Sequence, residues 1–401
     1  MLKSLTIRQQ RLARWRRALG LCLLLPAACL AQSAHHEASE KPIDAEIGFL
    51  QNQGALPRFE SASKISADAA TAMYQQRIAS VPHFYGSFDF EDRTYPFAIV
   101  GGNPQTSGVT RIPTQVIALS LFFEGFVDEN GEPIVLASGP IMRRVLRSPN
   151  FRSASYQTGF TQFADAVQRA QFFHAMAQDW HTLLRPPQVL KPVVIDVPRG
   201  MAKVYRNRST GVLYAVVDSA FFISQLNTIV QMANLRVDAL AVALTTNVFL
   251  APDADLKRCC VLGFHTAFDA GEIGDVQQIQ TFVWASWIDQ GILGTSVADV
   301  TPMSHEISEW MNDPFGNNEV PAWQPPDGSA GCRNNLETGD PVAALPNAGY
   351  PVSIDGFTYH PQTQVLLPWF TRQSPRDSID GAFSFPDEGL VSGPSQPCTM
   401  R

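Results

Sequence analysis

Hydrophobic and polar positions fall into recognisable blocks along most of the chain. "YPFAIVGG" (95–102) is an apolar run that ends in a glycine turn, and "TQVIALSLFFEGFV" (114–127) has the apolar density of a buried strand. "DENGEP" separates it from "IVLASG" with turn residues suited to a hairpin. In "FTQFADAVQRAQFFHAMAQ" (160–178), Phe160, Phe163, Ala166, Val167, Ala170 and Phe173 recur at spacings of one, three and four, which predicts an amphipathic helix. From about residue 190 come the strand-like "KPVVIDVP" and "VLYAVVDSAFF", the helix-like "FISQLNTIVQMANL", and the strand-like "ALAVALTTNVFL", "VLGFHTAF" and "QTFVWASWID". A second helix, around "SHEISEWM", closes the series. That order predicts an α+β fold with helices packed on one face of a mixed sheet. Residues 320–401 are rich in Pro, Gly and Asn and read as loops with short elements, "VLLPWF" (365–370) being a buried strand or cleft wall.

The N-terminus follows a different rule. Lys3, Arg8, Arg11, Arg14, Arg16 and Arg17 precede the apolar run "ALGLCLLLPAACLA", and the polar "QSAHHEASEKP" follows it. This is the order of a secretory signal cut near Ala31, with a run too short to cross a bilayer comfortably. Cys29 offers a lipoprotein alternative. The expected organisation is therefore a signal peptide over 1–31, a polar segment over 32–94 with a short helix in "SADAATAMYQQRI", an accessory β/α region over 95–190, and a main domain over 191–401. The expected location is secreted or periplasmic. An oxidising compartment gives Cys259, Cys260, Cys332 and Cys398 three complete pairings, and adjacent cysteines rarely bond to each other. Bridges from the Cys259/Cys260 pair to Cys332 and Cys398 are the expectation.

Composition removes some functions. The net charge is -7 and no basic block follows residue 17, so there is no electrostatic footprint for nucleic acid. Glycine-rich phosphate loops are missing, and "DSAFF" is no nucleophile elbow.

Candidate chemistry concentrates in "DVTPMSHEISEWMNDPF" (299–315). Read as helix, His305 and Glu309 are four apart and project from one face, so a ring nitrogen and a carboxylate oxygen can converge on one cation. Glu306 lies about 100° round the helix, close enough to hold a water beside that cation. This is the physics of the H-E-x-x-H zinc helix with a glutamate in place of the second histidine. Thr301 or Ser304 is a candidate cap, and Pro302 suits the first turn. A third ligand must come from elsewhere. "CRNNLETGDP" offers Glu337 and Asp340, with Gly339 between them to let the backbone turn both carboxylates toward one point.

The run from "VLGFHTAF" through "TFVWASWID" to "SHEISEWMNDPF" and "NLETGDP", about residues 200 to 345, resembles secreted zincin-like metalloprotease-related proteins. Such proteins carry an S-H-E-x-x-E helix and a downstream E-x-G-D loop. The resemblance implies a zincin-like domain, preceded here by a β-containing N-terminal region, with His305 and Glu309 as metal ligands and Glu306 as general base. Asp340 or Glu337 would complete the set. The helix lacks a second histidine, so the match to the H-E-x-x-H pattern is partial. It further implies that "VLGFHTAF" is an edge strand that holds an extended substrate by main-chain bonds. His265 would then hydrogen-bond the scissile carbonyl or its oxyanion, a part open also to Tyr359 or His360.

The expected function is metal-assisted hydrolysis of a peptide bond, with zinc as the cofactor and an extended peptide or cell-wall-associated substrate. Two carboxylate ligands also make calcium a competitor. A non-catalytic secreted or cell-envelope binding protein on the same scaffold, keeping a structural metal, is the alternative. A carbohydrate-active site would need two acids facing across a sugar cleft, with Trp284, Trp287, Trp310 and Trp369 available as a platform.

Overall fold

The computed structural model describes residues 43–45, 58–64, 78–294, 297–328, 331–373 and 376–400. The expected signal peptide, Cys29 and nearly all of the helix expected in "SADAATAMYQQRI" lie outside these residues. The chain builds an α+β fold around a curled mixed sheet. In order, the elements that matter are β1 (Arg58–Lys64), β2 (His83–Phe90), β3 (Arg93–Val100), β4 (Thr114–Val127), β5 (Pro133–Leu136), α1 (Phe163–Gln171), β6 (Val193–Val197), β7 (Ala202–Asn207) and β8 (Leu213–Asp218). There follow α2 (Ser219–Met232), β9 (Leu240–Thr246), β10 (Val248–Ala251), β11 (Val261–Ile273), β12 (Val276–Leu293), α3 (Thr301–Asn312) and α4 (Leu367–Thr371).

The central path of the sheet runs β7-β8-β10-β11-β12-β9-β4, with β5 and β6 paired to β4 and β1 paired to β11. The pairs β8/β10, β12/β9, β9/β4 and β11/β1 are parallel; β7/β8, β10/β11 and β11/β12 are antiparallel. The hairpin expected at "DENGEP" forms between β4 and β5. "ALAVALTTNVFL" is two strands, because Asn247 takes a left-handed backbone (φ 54°) that breaks the run. The strand β4, from the first half of the chain, and β9, from the second, share one ladder.

Helices cover both faces of the sheet, which corrects the expectation of a single face. Period-two alternation sorts the side chains. Ala241, Ala243, Phe282 and Trp284 turn to the side where Phe222, Leu226 and Ile229 of α2 pack. Leu240, Val242, Leu244, Val283, Ala285 and Trp287 turn to the side of Met303, Ile307, Trp310 and Met311 of α3. On the α2 side Phe222 and Trp284 have ring centroids 5.0 Å apart. The four tryptophans proposed as a sugar platform are all buried, Trp284, Trp287 and Trp310 in these cores and Trp369 in a separate cluster with Trp323 and Phe370, so they present no platform.

Other boundaries also shift. The first amphipathic helix is shorter than its pattern, because Phe160 belongs to a small hairpin and is 74% exposed. "VLLPWF" crosses from a two-residue strand into α4, where Pro368 sits in the first turn of a helix and not within a strand. The cysteines pair as Cys259–Cys260 and Cys332–Cys398, the latter with Cα atoms 5.8 Å apart. The expected cross-bridges fail because the Cys259/Cys260 turn is packed with the Tyr205, Tyr214 and Leu262 core, leaving Cys332 to clamp the C-terminal loop to Cys398.

Candidate metal centre

Helix α3 is buried from end to end, polar residues included. Its apolar stripe, Met303, Ile307, Trp310 and Met311, enters the core at spacings of four, three and one. Pro302 occupies the first turn as expected, but no side chain caps the N-terminus. Ser304 Oγ instead accepts from the backbone N–H of Gln362 at 2.9 Å. At the other end Gln168 Nε2 of α1 donates to the Met311 carbonyl at 2.8 Å, and Asn318 Nδ2 donates to the Asn312 carbonyl at 2.7 Å. These amides take carbonyls that the last turn leaves without helical partners.

His305, Glu306 and Glu309 face β11 and the loop 332–341. Alternation along β11 turns Phe264 and Phe268 toward α2, and Gly263 and His265 toward α3. A Cβ at Gly263 would meet Cγ and Oε1 of Glu306 at 2.7 Å, so glycine is what lets the Glu306 side chain lie against the strand. Gly339 acts in the same manner from the loop, where a Cβ would run into the His305 ring. Its φ of -90° is ordinary, so close approach, and not the expected backbone freedom, is its contribution.

Two groups of donors result, and Glu309 belongs to both. In one, His305 Nε2 lies 3.0 Å from Glu309 Oε1 and 3.7 Å from Asp340 Oδ1. In the other, His265 Nδ1 lies 3.3 Å from Glu306 Oε2 and 3.6 Å from Glu309 Oε2. Within each group the donor atoms lie no more than 4.8 Å from one another. A tetrahedral cation with bonds of about 2.0–2.2 Å sets its ligands about 3.4 Å apart, and both groups bracket that spacing. Glu337 approaches from the far side, its Oε2 3.9 Å from His265 Nε2 and its carboxyl hydrogen-bonded to that of Glu309.

Surrounding groups hold the set in place. Glu309 Oε1 accepts from the backbone N–H groups of Gly339 and Asp340 at 3.0 and 3.2 Å. Arg333, next to the Cys332–Cys398 bridge, donates to Asp340 Oδ2, which leaves Oδ1 for the cluster. Asn335 Nδ2 donates to Glu337 Oε1 at 2.9 Å. The most informative neighbour is Gln362. Its Nε2 donates to the Gly339 carbonyl at 2.7 Å, which points Oε1 at His305 Nδ1, 3.1 Å away. An acceptor there requires the proton on Nδ1, so His305 Nε2 turns a lone pair toward Glu309 and Asp340. Fixing the tautomer in this way is what a carbonyl does for a metal-binding imidazole.

The electrostatics agree. Burial pushes His265 down to about 3, with the neighbouring His305 lowering it further and the backbone of Asp313 opposing the shift. Burial likewise pushes His305 down to about 4, against the raising influence of Asp340 and Gln362. Both rings are therefore neutral near pH 7 and ready as ligands. Glu309 moves well above the ordinary carboxylate range, first through burial and then through the nearby Asp340 charge. A buried set of four acids and two neutral imidazoles must either keep protons or take up a cation. Residues capable of coordinating a metal ion are thus gathered in one buried cluster.

Of the residues singled out from the sequence, His265, His305, Glu306, Glu309, Glu337 and Asp340 come together. Tyr359 stands apart, its hydroxyl donating to the Arg144 carbonyl at 2.9 Å, and His360 Nδ1 lies 2.7 Å from Asp299 Oδ2. His360 is committed to holding the 299–301 turn, and Tyr359 to the helical turn Met142–Val145. "VLGFHTAF" is no free edge either, since β12 pairs on one side and β1 on the other, from Val261↔Arg58 to Phe268↔Lys64. Gln362, Arg333 and Gly263 were missed. Gln362 and Arg333 share no spacing with the helix motif; Gly263 could have been found as a glycine inside a strand pattern, the usual sign of close backbone approach.

The chain matches no protein-family model, and comparisons with curated proteins and with solved structures likewise return no match. Among the described residues no helix is long and apolar enough to cross a membrane.

Proposed function

We propose that this chain is an extracytoplasmic metal-dependent hydrolase, a zinc peptidase on a zincin-like arrangement of helix and strand. The observation that carries the reading is the group His305, Glu309 and Asp340, with Glu306 one position along the helix and turned to the same cluster. The His305 imidazole in that group favours zinc over calcium, which prefers six to eight oxygen donors. A divalent cation held there supplies Lewis acidity, lowering the pKa of water and polarising a carbonyl. Glu306 accepts the proton from the attacking water and returns it to the leaving amine. His265 lies against the Glu306 carboxylate and orients it. Asp340, steadied by Arg333, and Glu309, steadied by two backbone N–H groups, hold the cation's position.

One observation favours a second reading, a secreted binding protein with a structural cation. His265, His305 and Glu306 are fully buried, as closed structural sites are. The two readings separate at Glu306. Elemental mass spectrometry on the purified protein should find zinc that His305→Ala loses. A peptide-substrate screen then compares wild type with Glu306→Gln, which keeps zinc at His305, Glu309 and Asp340. Cleavage by wild type alone supports the hydrolase; zinc without cleavage in either protein leaves the structural cation. Absence of zinc from wild type removes both.

A further inference from the structure

The second donor group has a consequence of its own. Glu309 divides its two oxygens between the groups, Oε1 toward His305 and Oε2 toward His265. A carboxylate so placed is a bridge, the geometry that two cations about 3.5–4 Å apart share in binuclear sites. The surroundings of His265 point the same way. Carboxyls and a backbone carbonyl surround its ring: Glu306 and Glu309 at Nδ1, Glu337 at Nε2, and the backbone of Asp313. A neutral imidazole carries one N–H and one lone pair, so the nitrogen with the lone pair meets a carboxyl oxygen and needs either a proton or a cation between the two. A cation between His265 Nδ1, Glu306 Oε2 and Glu309 Oε2 resolves that mismatch.

We propose that His265, Glu306 and Glu309 form a second divalent-cation site that modulates the first. Its cation binds more weakly, because it shares Glu309 with the cation already held and meets like-charge repulsion across that bridge. Filling it turns Glu306 from proton acceptor into ligand, so metal in excess inhibits hydrolysis. The inhibitory part rests on the hydrolase reading, whereas the site itself does not.

Equilibrium dialysis of the purified chain against zinc alone tests it, with His265→Ala beside wild type. Wild type should take up two equivalents in separate steps, and His265→Ala should keep the tight one and lose the weak one. Glu306→Gln, which removes a different ligand and preserves shape, should weaken the second step at least tenfold. Manganese loading of wild type gives a readout that needs no variant, since two ions bridged by one carboxylate produce an exchange-coupled electron paramagnetic resonance spectrum. One equivalent in both wild type and His265→Ala, with an uncoupled manganese spectrum, overturns the second site and leaves the proposed function standing. One equivalent in wild type and none in His265→Ala overturns it also, because a single cation then lies at His265. No equivalents in wild type overturns both. Where cleavage is measurable, activity should rise with the first equivalent and fall with the second; a rise to a plateau overturns the inhibitory role.

Discussion

Helices α2 and α3 pack on opposite faces of the same strands, and they are built on opposite principles. The first turns one stripe, Phe222, Leu226 and Ile229, into the core and leaves Asn227, Thr228, Gln231 and Met232 to solvent. Asp218 caps it through the Phe221 N–H at 2.8 Å. Nothing in it exceeds what a half-buried helix needs. The second has an equally adequate apolar stripe, yet it also buries Ser304, His305, Glu306, Ser308, Glu309 and Asn312. Stability alone does not select two buried carboxylates on one helix face, since apolar residues of the same volume would cost far less. The difference separates a helix that only packs from one that also gathers side chains capable of coordinating a metal ion.

Substitutions on and around the two helices, and changes of pH, would sharpen or break that contrast. Glu309→Gln should abolish metal uptake altogether, because Glu309 serves both donor groups, while the denaturation midpoint of the metal-free protein should not fall. A midpoint well below wild type would make Glu309 a structural residue and erase the distinction. Phe222→Ala on the other face should do the reverse, costing about 3–5 kcal/mol in chemical denaturation while zinc uptake persists. Loss of zinc in that variant would couple the two faces.

A smaller effect concerns the protons that the cation must displace. Both rings are neutral above pH about 4, so they lose no protons to metal between pH 5 and 7. Glu309, raised well above its usual range, is the group that still holds one. Zinc affinity should therefore fall as pH drops through that raised value, by about tenfold per pH unit for each proton displaced. In the metal-free protein the sign follows from the same group. A carboxyl with a folded pKa above its unfolded one loses stabilisation as pH rises, so the advantage of Glu309→Gln over wild type should widen from acid toward neutral pH. Gln362→Ala should weaken zinc binding by about 10- to 100-fold, the usual effect of removing the partner that orients a ligand imidazole. Calorimetric titration reads both effects. An unchanged affinity in Gln362→Ala would show that the His305 tautomer does not need it. At the bottom of the range, Gln231→Ala on the exposed side of α2 should stay within about 0.5 kcal/mol of wild type.

The sequence by itself determined a good deal of this protein. Dense apolar runs at 114–127 and 213–218, and the three-to-four spacing near 222–235 and 301–312, specified strands and helices of an α+β fold, because the residues that a strand or a helix buries follow from its local geometry. The four-residue step from His305 to Glu309 likewise placed two donors on one face. Where those donors find company was decided only by the tertiary structure. His265 reaches them because β11 lies under α3 with the phase that turns odd residues toward the helix, a phase that a one-residue slip would reverse. Asp340 and Glu337 reach them because a disulfide at Cys332, the Arg333 side chain and a glycine small enough to touch His305 bring their loop in. Gln362 arrives 57 residues after His305 with no periodic relation to it. The same distance from local rules explains why β1 covers the strand expected to be free, and why the helices divide between two faces: pairing partners and sheet faces depend on which segments meet, and a run of residues carries no record of what will be packed against it.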